Sequence, residues 1–154
     1  MNATLIVSFG ARLLLVVLFP FSALDKVMHW KSALEQASSS FVPGGPALLA
    51  GAIVVETVAP FCIVLDWHDR LAAAVLALFC VVTALLYHAF WKYPDFWSND
   101  ASPGRAHFWD FLKNLGLAGG LLLVVLGTHP APLADVLAHP LAASSAYSIE
   151  AHGH

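Results

Sequence analysis

The chain has 154 residues, of which 59% are hydrophobic and 11% are charged, and its net charge is −3. Soluble domains carry about a quarter charged residues, so this balance excludes an ordinary soluble domain and indicates a membrane protein. The sequence has no basic patch or repeat of the kind that binds nucleic acid.

Four apolar runs lie at about residues 4–24, 46–65, 71–91 and 108–127. Each is near the roughly 20 residues that a helix needs to cross a bilayer core of about 30 Å. The runs lack the strict alternation of a membrane β-barrel. We therefore predict an all-α protein, an integral membrane four-helix bundle, with one transmembrane domain at residues 1–128.

The first run is interpreted as a transmembrane helix and not as a cleaved signal peptide. It has no basic segment before it, and Arg12 lies in its middle. An unpaired guanidinium at that depth, roughly 12 Å from the start of the helix, would cost several kcal/mol. The sequence therefore predicts a partner for Arg12 inside the bundle.

Glu56 lies in the middle of the second run, at a depth similar to that of Arg12. We predict an Arg12–Glu56 ion pair that joins the first two helices. Two roles stay open for this pair. It could only hold the helices together, or it could belong to a substrate or proton route, as intramembrane ionisable groups often do.

Residues 25–41 are too polar to cross a membrane, but they are amphipathic. Their apolar positions alternate with Lys31 and Glu35, which predicts a short interfacial helix between helices 1 and 2, anchored by Trp30. The Pro-Gly-Gly-Pro segment at residues 43–46 ends this helix and begins the next.

Small residues recur on one face of the third predicted helix, at Ala73, Ala77, Cys80 and Ala84. Such a stripe lets helices approach closely, so His88, four residues further on, is expected to point into the bundle. The preceding turn at residues 66–70 is interpreted as solvated and without chemistry.

The fourth helix is entered through a loop rich in aromatic residues, including Trp91 and Trp109, some of which fit an aromatic belt at the headgroup level. Gly116 and Gly120 predict a close-packing face on this helix. Lys113 lies near that face and is expected to point toward protein.

No metal site is predicted. Cys62 and Cys80 lack metal-ligand spacing and are interpreted as packing residues. Residues 129–154 form an Ala-, Pro- and His-rich tail that is expected to be mobile. Basic residues are concentrated in the loops between helices 1 and 2 and between helices 3 and 4. The positive-inside rule then places both termini on the non-cytoplasmic side.

The order of several motifs resembles the DoxX family over about residues 8–127. These motifs are RLLLVVLFPFSALDKV, GAIVVETVAP, DRLAAAVLALF, a histidine followed by PDFW, and FWDFLKNLGLAGG. The resemblance implies a small four-helix protein of the bacterial inner membrane. Relatives include a membrane subunit of a thiosulfate:quinone oxidoreductase and proteins associated with redox complexes. The positions that match the family's recurrent polar residues are Arg12, Lys26, Glu56, His88 and Asn114.

The leading hypothesis is a quinone- or quinol-binding subunit of a membrane oxidoreductase. A quinone site needs an apolar slot, aromatic rings that hold the head group, and hydrogen-bond donors at the carbonyls. The binding candidates are Lys26, His88, Trp91, Trp109, Lys113 and Asn114. Glu56 and Asp110 are candidates for a proton relay. No flavin, nicotinamide or iron–sulfur motif is present, so electrons would come from another redox subunit or a bound cofactor.

Three alternatives are weighed against this hypothesis. A haem held by two of His29, His88 and His107 is disfavoured, since lone interfacial histidines are usually structural. A non-catalytic anchor or assembly scaffold for a partner oxidoreductase, or for a homo-oligomer, would need the buried charges only to set helix register. A transporter is less favoured because four helices form a small pathway and no internal repeat is evident.

Overall fold

The computed structural model describes residues 3–39, 42–98, 101–126 and 138. The predicted tail, residues 129–154, lies outside the described residues except for residue 138. The elements in chain order are α1 (Ala3–Val16), α2 (Leu18–Met28), α3 (Trp30–Ser38), α4 (Gly45–Val64), α5 (Asp69–Tyr87), a 3-10 turn (Phe90–Lys92) and α6 (Pro103–Leu126).

Within the described ranges, four helical spans are long and apolar enough to cross a membrane. They are Ala3–Met28, Gly45–Val64, Asp69–Lys92 and Pro103–Leu126. The predicted all-α bundle of four membrane helices is therefore confirmed. The first span continues to Met28, beyond the predicted end at residue 24. The last span begins at Pro103, before the predicted start at residue 108.

The first span is interrupted once, at Val17, between α1 and α2. The cause lies one turn further along, at Pro20. Proline has no N–H to donate, and its ring clashes with the carbonyl group four residues earlier, which is that of Val16. The helix therefore ends at Val16 and resumes at Leu18.

Consecutive spans run in opposite directions. At one end of the bundle, α1 contacts the turn between α4 and α5 through Arg12, whose Nη1 atom lies 2.8 Å from Asp66 Oδ1. We call this end the turn end. At the other end, which we call the α3 end, the Tyr87 hydroxyl at the close of α5 donates a hydrogen bond of 3.4 Å to the Ala37 carbonyl of α3.

The core of the bundle is built around one face of α5. Ala73, Ala77, Cys80 and Ala84 are all buried, which confirms the predicted stripe of small residues. Large side chains of the other spans pack on this face. Many leucines on the outside of the spans stay exposed, Leu14 and Leu78 among them. Contiguous apolar surface of this kind is what lipid covers.

The predicted short helix between the first two spans is present as α3, and it packs along the start of α4. Gly44 adopts a φ of +99°, a left-handed conformation that glycine reaches at little cost. At Gly45, a Cβ atom would lie 3.2 Å from the Ser38 Cα atom. These two glycines therefore allow the chain to turn sharply and bring α3 and α4 into close contact.

The connection between α5 and α6 is an aromatic cluster centred on Phe90. The Phe90 ring lies 5.2–5.3 Å, between centroids, from the rings of Trp91, Phe96, Phe108 and Phe111. Such tilted and edge-to-face contacts stabilise each other. Mutual packing thus accounts for much of the aromatic content that the sequence suggested was a membrane belt.

Gly104, in the first turn of α6, lies beneath this connection. A Cβ atom there would lie 2.6 Å from the Tyr93 Cβ atom and 3.1 Å from the Phe96 backbone nitrogen. We predict that Gly104→Ala lowers the free energy of unfolding by about 1–3 kcal/mol, because neither neighbour is the flexible end of a side chain. Thermal unfolding of the purified protein measures this effect.

Gly119→Ala is the matched control on the same helix, since nothing lies within 4 Å of the Cβ atom that it adds. This change should leave stability unchanged or raise it by about 0.5–1 kcal/mol, the ordinary helix preference of alanine over glycine. Equal effects of the two substitutions would contradict the packing described here.

Candidate functional site

A cavity of about 760 Å³ lies in the half of the bundle nearer the α3 end. Side chains from α2, α3, α4, α5 and α6 line it, and about half of them are apolar. The predicted site residues on its walls are Lys26, Glu56, His88, Asp110, Lys113 and Asn114. Six candidates chosen from the sequence therefore share one cavity.

The cavity exists because the bundle is closed near one end and open toward the other. Nearer the turn end, α1 meets α6, where the Leu15 Cδ1 atom lies 2.9 Å from the place of a Gly120 Cβ. Further along, α2 packs on α3 and α4, while α6 packs on α5. The space between α2 and α6 is left unfilled and forms the cavity.

The most buried polar group of the cavity is the Glu56 carboxylate, which is only 3% exposed. Its Oε1 atom accepts hydrogen bonds from Lys26 Nζ at 2.9 Å and from Ser22 Oγ at 3.0 Å. Lys26 Nζ also lies 2.8 Å from Oε2 and donates to Ser22 Oγ at 2.6 Å. The buried charge is therefore paired, as a stable fold requires.

The helical period of α2 places Phe19, Ser22 and Lys26 on one face, toward α4 and the cavity. Glu56 Oε2 is buried, and in the described part of the chain no group donates a hydrogen bond to it with acceptable geometry. The polar floor of the cavity thus consists of Ser22, Lys26 and Glu56, and both carboxylate oxygens lie within 2.9 Å of the Lys26 nitrogen.

The α6 wall carries a second polar group. Lys113 Nζ lies 3.0 Å from Asp110 Oδ1, and Asn114 Nδ2 donates to the Asp110 carbonyl at 2.9 Å. The Lys113 side chain is 70% exposed, and nothing lies within 4 Å of the position of a Gly116 Cβ. The expectation that Lys113 points toward protein is therefore wrong. It borders the cavity from its open side, and only Gly120 makes the predicted close helix contact.

His88 ends α5 and lines the cavity, as predicted from the small-residue stripe. Its Nδ1 atom lies 3.5 Å from Nδ1 of His107, and the His107 ring stacks on Tyr93 at 5.0 Å. The two imidazoles contact each other directly, so they do not stand on opposite sides of a haem. His29 also lines the cavity, and its Nδ1 atom pairs with Asp25 Oδ1 at 2.9 Å. This arrangement does not favour the haem alternative.

Trp91 and Trp109 are not on the cavity wall. Trp91 packs on Phe90 and Phe111, and Trp109 packs on Phe108. Both tryptophans are therefore placed away from the head-group position that the sequence hypothesis gave them.

The aromatic residues that do line the cavity are Phe19, Phe79 and Tyr87. The sequence contained a signal for each of them. Phe19 shares the helical face of the floor residues, and Phe79 and Tyr87 are eight residues apart on α5.

The predicted Arg12–Glu56 ion pair is wrong. Arg12 Nη1 lies 2.8 Å from Asp66 Oδ1, Arg12 Nη2 lies 2.9 Å from Asp69 Oδ2, and Nη1 also donates to the Ile63 carbonyl at 2.9 Å. The turn at residues 66–70, interpreted from the sequence as solvated and without chemistry, supplies both carboxylates.

The physical reason for this difference is the register between the first two spans. The start of α1 extends past the turn between α4 and α5, so Arg12 is level with the turn and not deep in the bundle. Glu56 lies seven residues before Ile63 on α4, roughly 10 Å away along the helix. The first span continues to Met28, so Lys26 lies inside the bundle and reaches Glu56 instead.

Among the described residues, no group of three or more His, Cys, Asp or Glu side chains is placed to hold a metal ion. Cys62 and Cys80 are free thiols, and Cys80 is buried in the core. The described residues thus provide no assembled metal centre.

Fold and site together define a membrane protein of four helical spans that border an open cavity with a polar floor. The chain belongs to the DoxX family, whose model matches residues 7–89. It is 27% identical over 116 residues to the inner membrane protein YphA of Escherichia coli (strain K12), which covers 75% of this chain and 79% of YphA. No solved structure is recognisably similar to the chain.

A double-mutant cycle tests the charge pairing. We predict that Lys26→Met lowers the free energy of unfolding by about 3–5 kcal/mol, because it leaves Glu56 buried without its partner. Adding Glu56→Gln should restore part of the loss, which gives an interaction energy of about 1–3 kcal/mol for residues in contact. Unfolding in mixed SDS micelles, followed by tryptophan fluorescence, measures these values.

Arg12→Met combined with Glu56→Gln provides the control cycle. The two residues have different partners in the structure, so their effects should add within about 0.5 kcal/mol. A large coupling energy between Arg12 and Glu56, or additive effects for Lys26 and Glu56, would contradict the pairing in the structure. It would support the Arg12–Glu56 pair that the sequence predicted.

Proposed function

We propose that this protein binds a quinone or quinol in the cavity and serves as the membrane subunit of a redox system in the bacterial inner membrane. One observation carries the proposal. Six polar residues from α2, α4, α5 and α6 border a single cavity between membrane spans: Lys26, Glu56, His88, Asp110, Lys113 and Asn114. The location rests on the named inner membrane relative and on the four apolar spans.

The size and lining of the cavity suit such a ligand. Its volume of about 760 Å³ falls within the roughly 300–1,000 Å³ of sites for small molecules. Phe19, Phe79 and Tyr87 offer aromatic faces for a planar ring. The remaining walls are mainly aliphatic residues of α2, α4 and α5, which suit an isoprenoid tail.

The polar groups of the chain would position and protonate the ring. A bound quinone supplies two-electron chemistry that the amino acids of this chain do not. Glu56 and Asp110 can take up or release the accompanying protons. His88 follows the last residue of α5, lines the cavity and can hydrogen-bond one oxygen of the ring. Electrons would enter from a partner subunit of the redox system.

A scaffold is the second candidate function, and two ion pairs favour it. The Lys26–Glu56 pair joins α2 to α4, and Arg12 joins α1 to the turn through Asp66 and Asp69. Pairs of this kind can set helix register for an anchor that holds a partner oxidoreductase or a second copy. In both cases we propose that the turn end, where α1 begins, faces the non-cytoplasmic side, following the distribution of basic residues.

A cavity-blocking variant tests quinone binding. Gly51 lines the cavity, and nothing lies within 4 Å of the position of its missing Cβ. We predict that Gly51→Phe is folded, fills part of the cavity and weakens binding of ubiquinone-1 at least about tenfold, because the head group and the new ring compete for one volume. Calorimetric titration of the full chain in lipid nanodiscs, with empty nanodiscs as the blank, measures binding.

Gly116→Phe is the matched control. Gly116 also has nothing within 4 Å of its missing Cβ, and it does not line the cavity. This variant should bind ubiquinone-1 as the unmodified chain does. If the unmodified chain does not bind ubiquinone-1 above the blank, or if both variants bind equally well, the scaffold function is favoured.

A further inference from the structure

We propose that the cavity opens sideways into the lipid between α2 and α6, and that its ligand is an amphiphile whose apolar tail leaves the cavity through this opening. The inference rests on the proposed function, because it takes the head group to lie inside the cavity. It names the side from which the ligand enters and the part of the ligand that the opening selects.

The opening lies where two spans of the bundle do not pack along each other. In the described part of the chain, α2 packs chiefly on α4 and α3, whereas α6 packs chiefly on α5. The first span meets α6 nearer the turn end, where Leu15 Cδ1 lies 2.9 Å from the place of a Gly120 Cβ. From this contact toward the α3 end, the cavity separates the two helices.

Side chains that line the cavity and are also exposed mark where it meets its surroundings. Leu18 of α2 lines the cavity and is 56% exposed. On α6, Lys113 lines the cavity, and its side chain is largely exposed as well. Both residues lie within helical spans that can cross a membrane. The cavity therefore reaches the flank of the bundle, which lipid surrounds, as well as its α3 end.

The two edges of the opening are matched in register. The two helices run in opposite directions, so residues at equal distances along the chain from the contact between α1 and α6 lie at similar levels. Leu18 and Leu117 are each three residues from that contact, and both line the cavity. Asp25 and Asp110 also line it and are each ten residues away, roughly 15 Å along a helix. The leucines are thus nearer the middle of the membrane than the aspartates.

The opening is polar near the α3 end and apolar toward the middle of the membrane. Asp25 on α2 and the Asp110–Lys113 pair on α6 form its polar part, and Leu18 and Leu117 form its apolar part. An amphiphile in that half of the bilayer has the same orientation, with its head group toward the surface and its tail toward the centre. Polarity along the opening therefore matches a lipid-like ligand, whose apolar tail does not have to cover the charged groups.

The apolar part of the opening acts on the tail through its shape. The surrounding lipid is as apolar as the tail, so the tail gains no hydrophobic free energy by lying between Leu18 and Leu117. What the two leucines provide is space at the level where a tail that leaves the cavity must pass. A bulky ring at either position should therefore exclude a long tail and leave the head group its place in the cavity.

Tryptophan substitutions at the two edges test this inference. Decylubiquinone, which carries a long tail, and ubiquinone-1, whose short tail can stay inside the cavity, are titrated separately into the full chain in lipid nanodiscs, with empty nanodiscs as the blank. We expect Leu18→Trp and Leu117→Trp each to bind decylubiquinone at least about tenfold more weakly than the unmodified chain. Both variants should bind ubiquinone-1 within about twofold of it, because the indole ring occupies only the volume that the long tail needs.

Leu24→Trp and Leu115→Trp are the matched controls. Leu24 of α2 and Leu115 of α6 are exposed like Leu18 but do not line the cavity. Both control variants should bind the two quinones as the unmodified chain does. Thermal unfolding checks that each variant is folded, and since Leu18 and Leu117 belong to different helices, either one tests the opening if the other does not fold.

Each outcome has a separate meaning. Failure of the unmodified chain to bind ubiquinone-1 above the blank would overturn the proposed function itself. Binding of ubiquinone-1 without binding of decylubiquinone would overturn only the inference, and this comparison needs no variant. Equal losses for both ligands, or no loss for either, would also overturn it. A smaller molecular mass of Leu18→Trp in light scattering would show that a second copy covers the opening. A loss confined to decylubiquinone and to the two edge variants supports the inference.

Discussion

The ion pair between Lys26 and Glu56 is the contact on which the half of the bundle nearer the α3 end depends. A carboxylate that is only 3% exposed needs a cation held close to it. That cation is available because the first span stays helical as far as Met28. The pair fixes α2 against α4, and Ser22 completes its hydrogen bonds. The residues that form the floor of the cavity therefore also hold α2 against α4.

The architecture could be predicted from the sequence because a bilayer constrains it so strongly. A run of about 20 apolar residues has few alternatives to a membrane helix. It was also predictable that the small residues on α5 face the interior of the bundle, since another helix can approach closely where the side chains are small. Ala73, Ala77 and Ala84 are buried as that argument requires, and His88, on the same face, lines the cavity.

The pairing of charges could not be predicted, because depth along one helix does not give its register against the next. The prediction that Arg12 and Glu56 lie at the same depth assumed that the first two spans begin and end at the same depths in the membrane. In the structure α1 extends past the turn, and Arg12 forms ion pairs with Asp66 and Asp69. Trp91 was misplaced because it lies in the connection between α5 and α6. Loop residues have no period, so nothing local distinguished Trp91 in an aromatic cluster from Trp91 on a cavity wall.

The two ion-pair sites also differ in what they cost, and this difference bears on function. Arg12 and its partners lie at the edge of the bundle, where Asp66 is 76% exposed and Asp69 is 21% exposed, so both carboxylates are less desolvated than that of Glu56, whose side chain is 4% exposed. A bundle that needed only such joints would gain nothing from burying Glu56 beside an unfilled cavity. Burial of a charge pair commonly costs more than apolar packing of the same volume. The buried pair is therefore the more costly of the two joints, and the proposed ligand-binding role of the cavity would account for that cost.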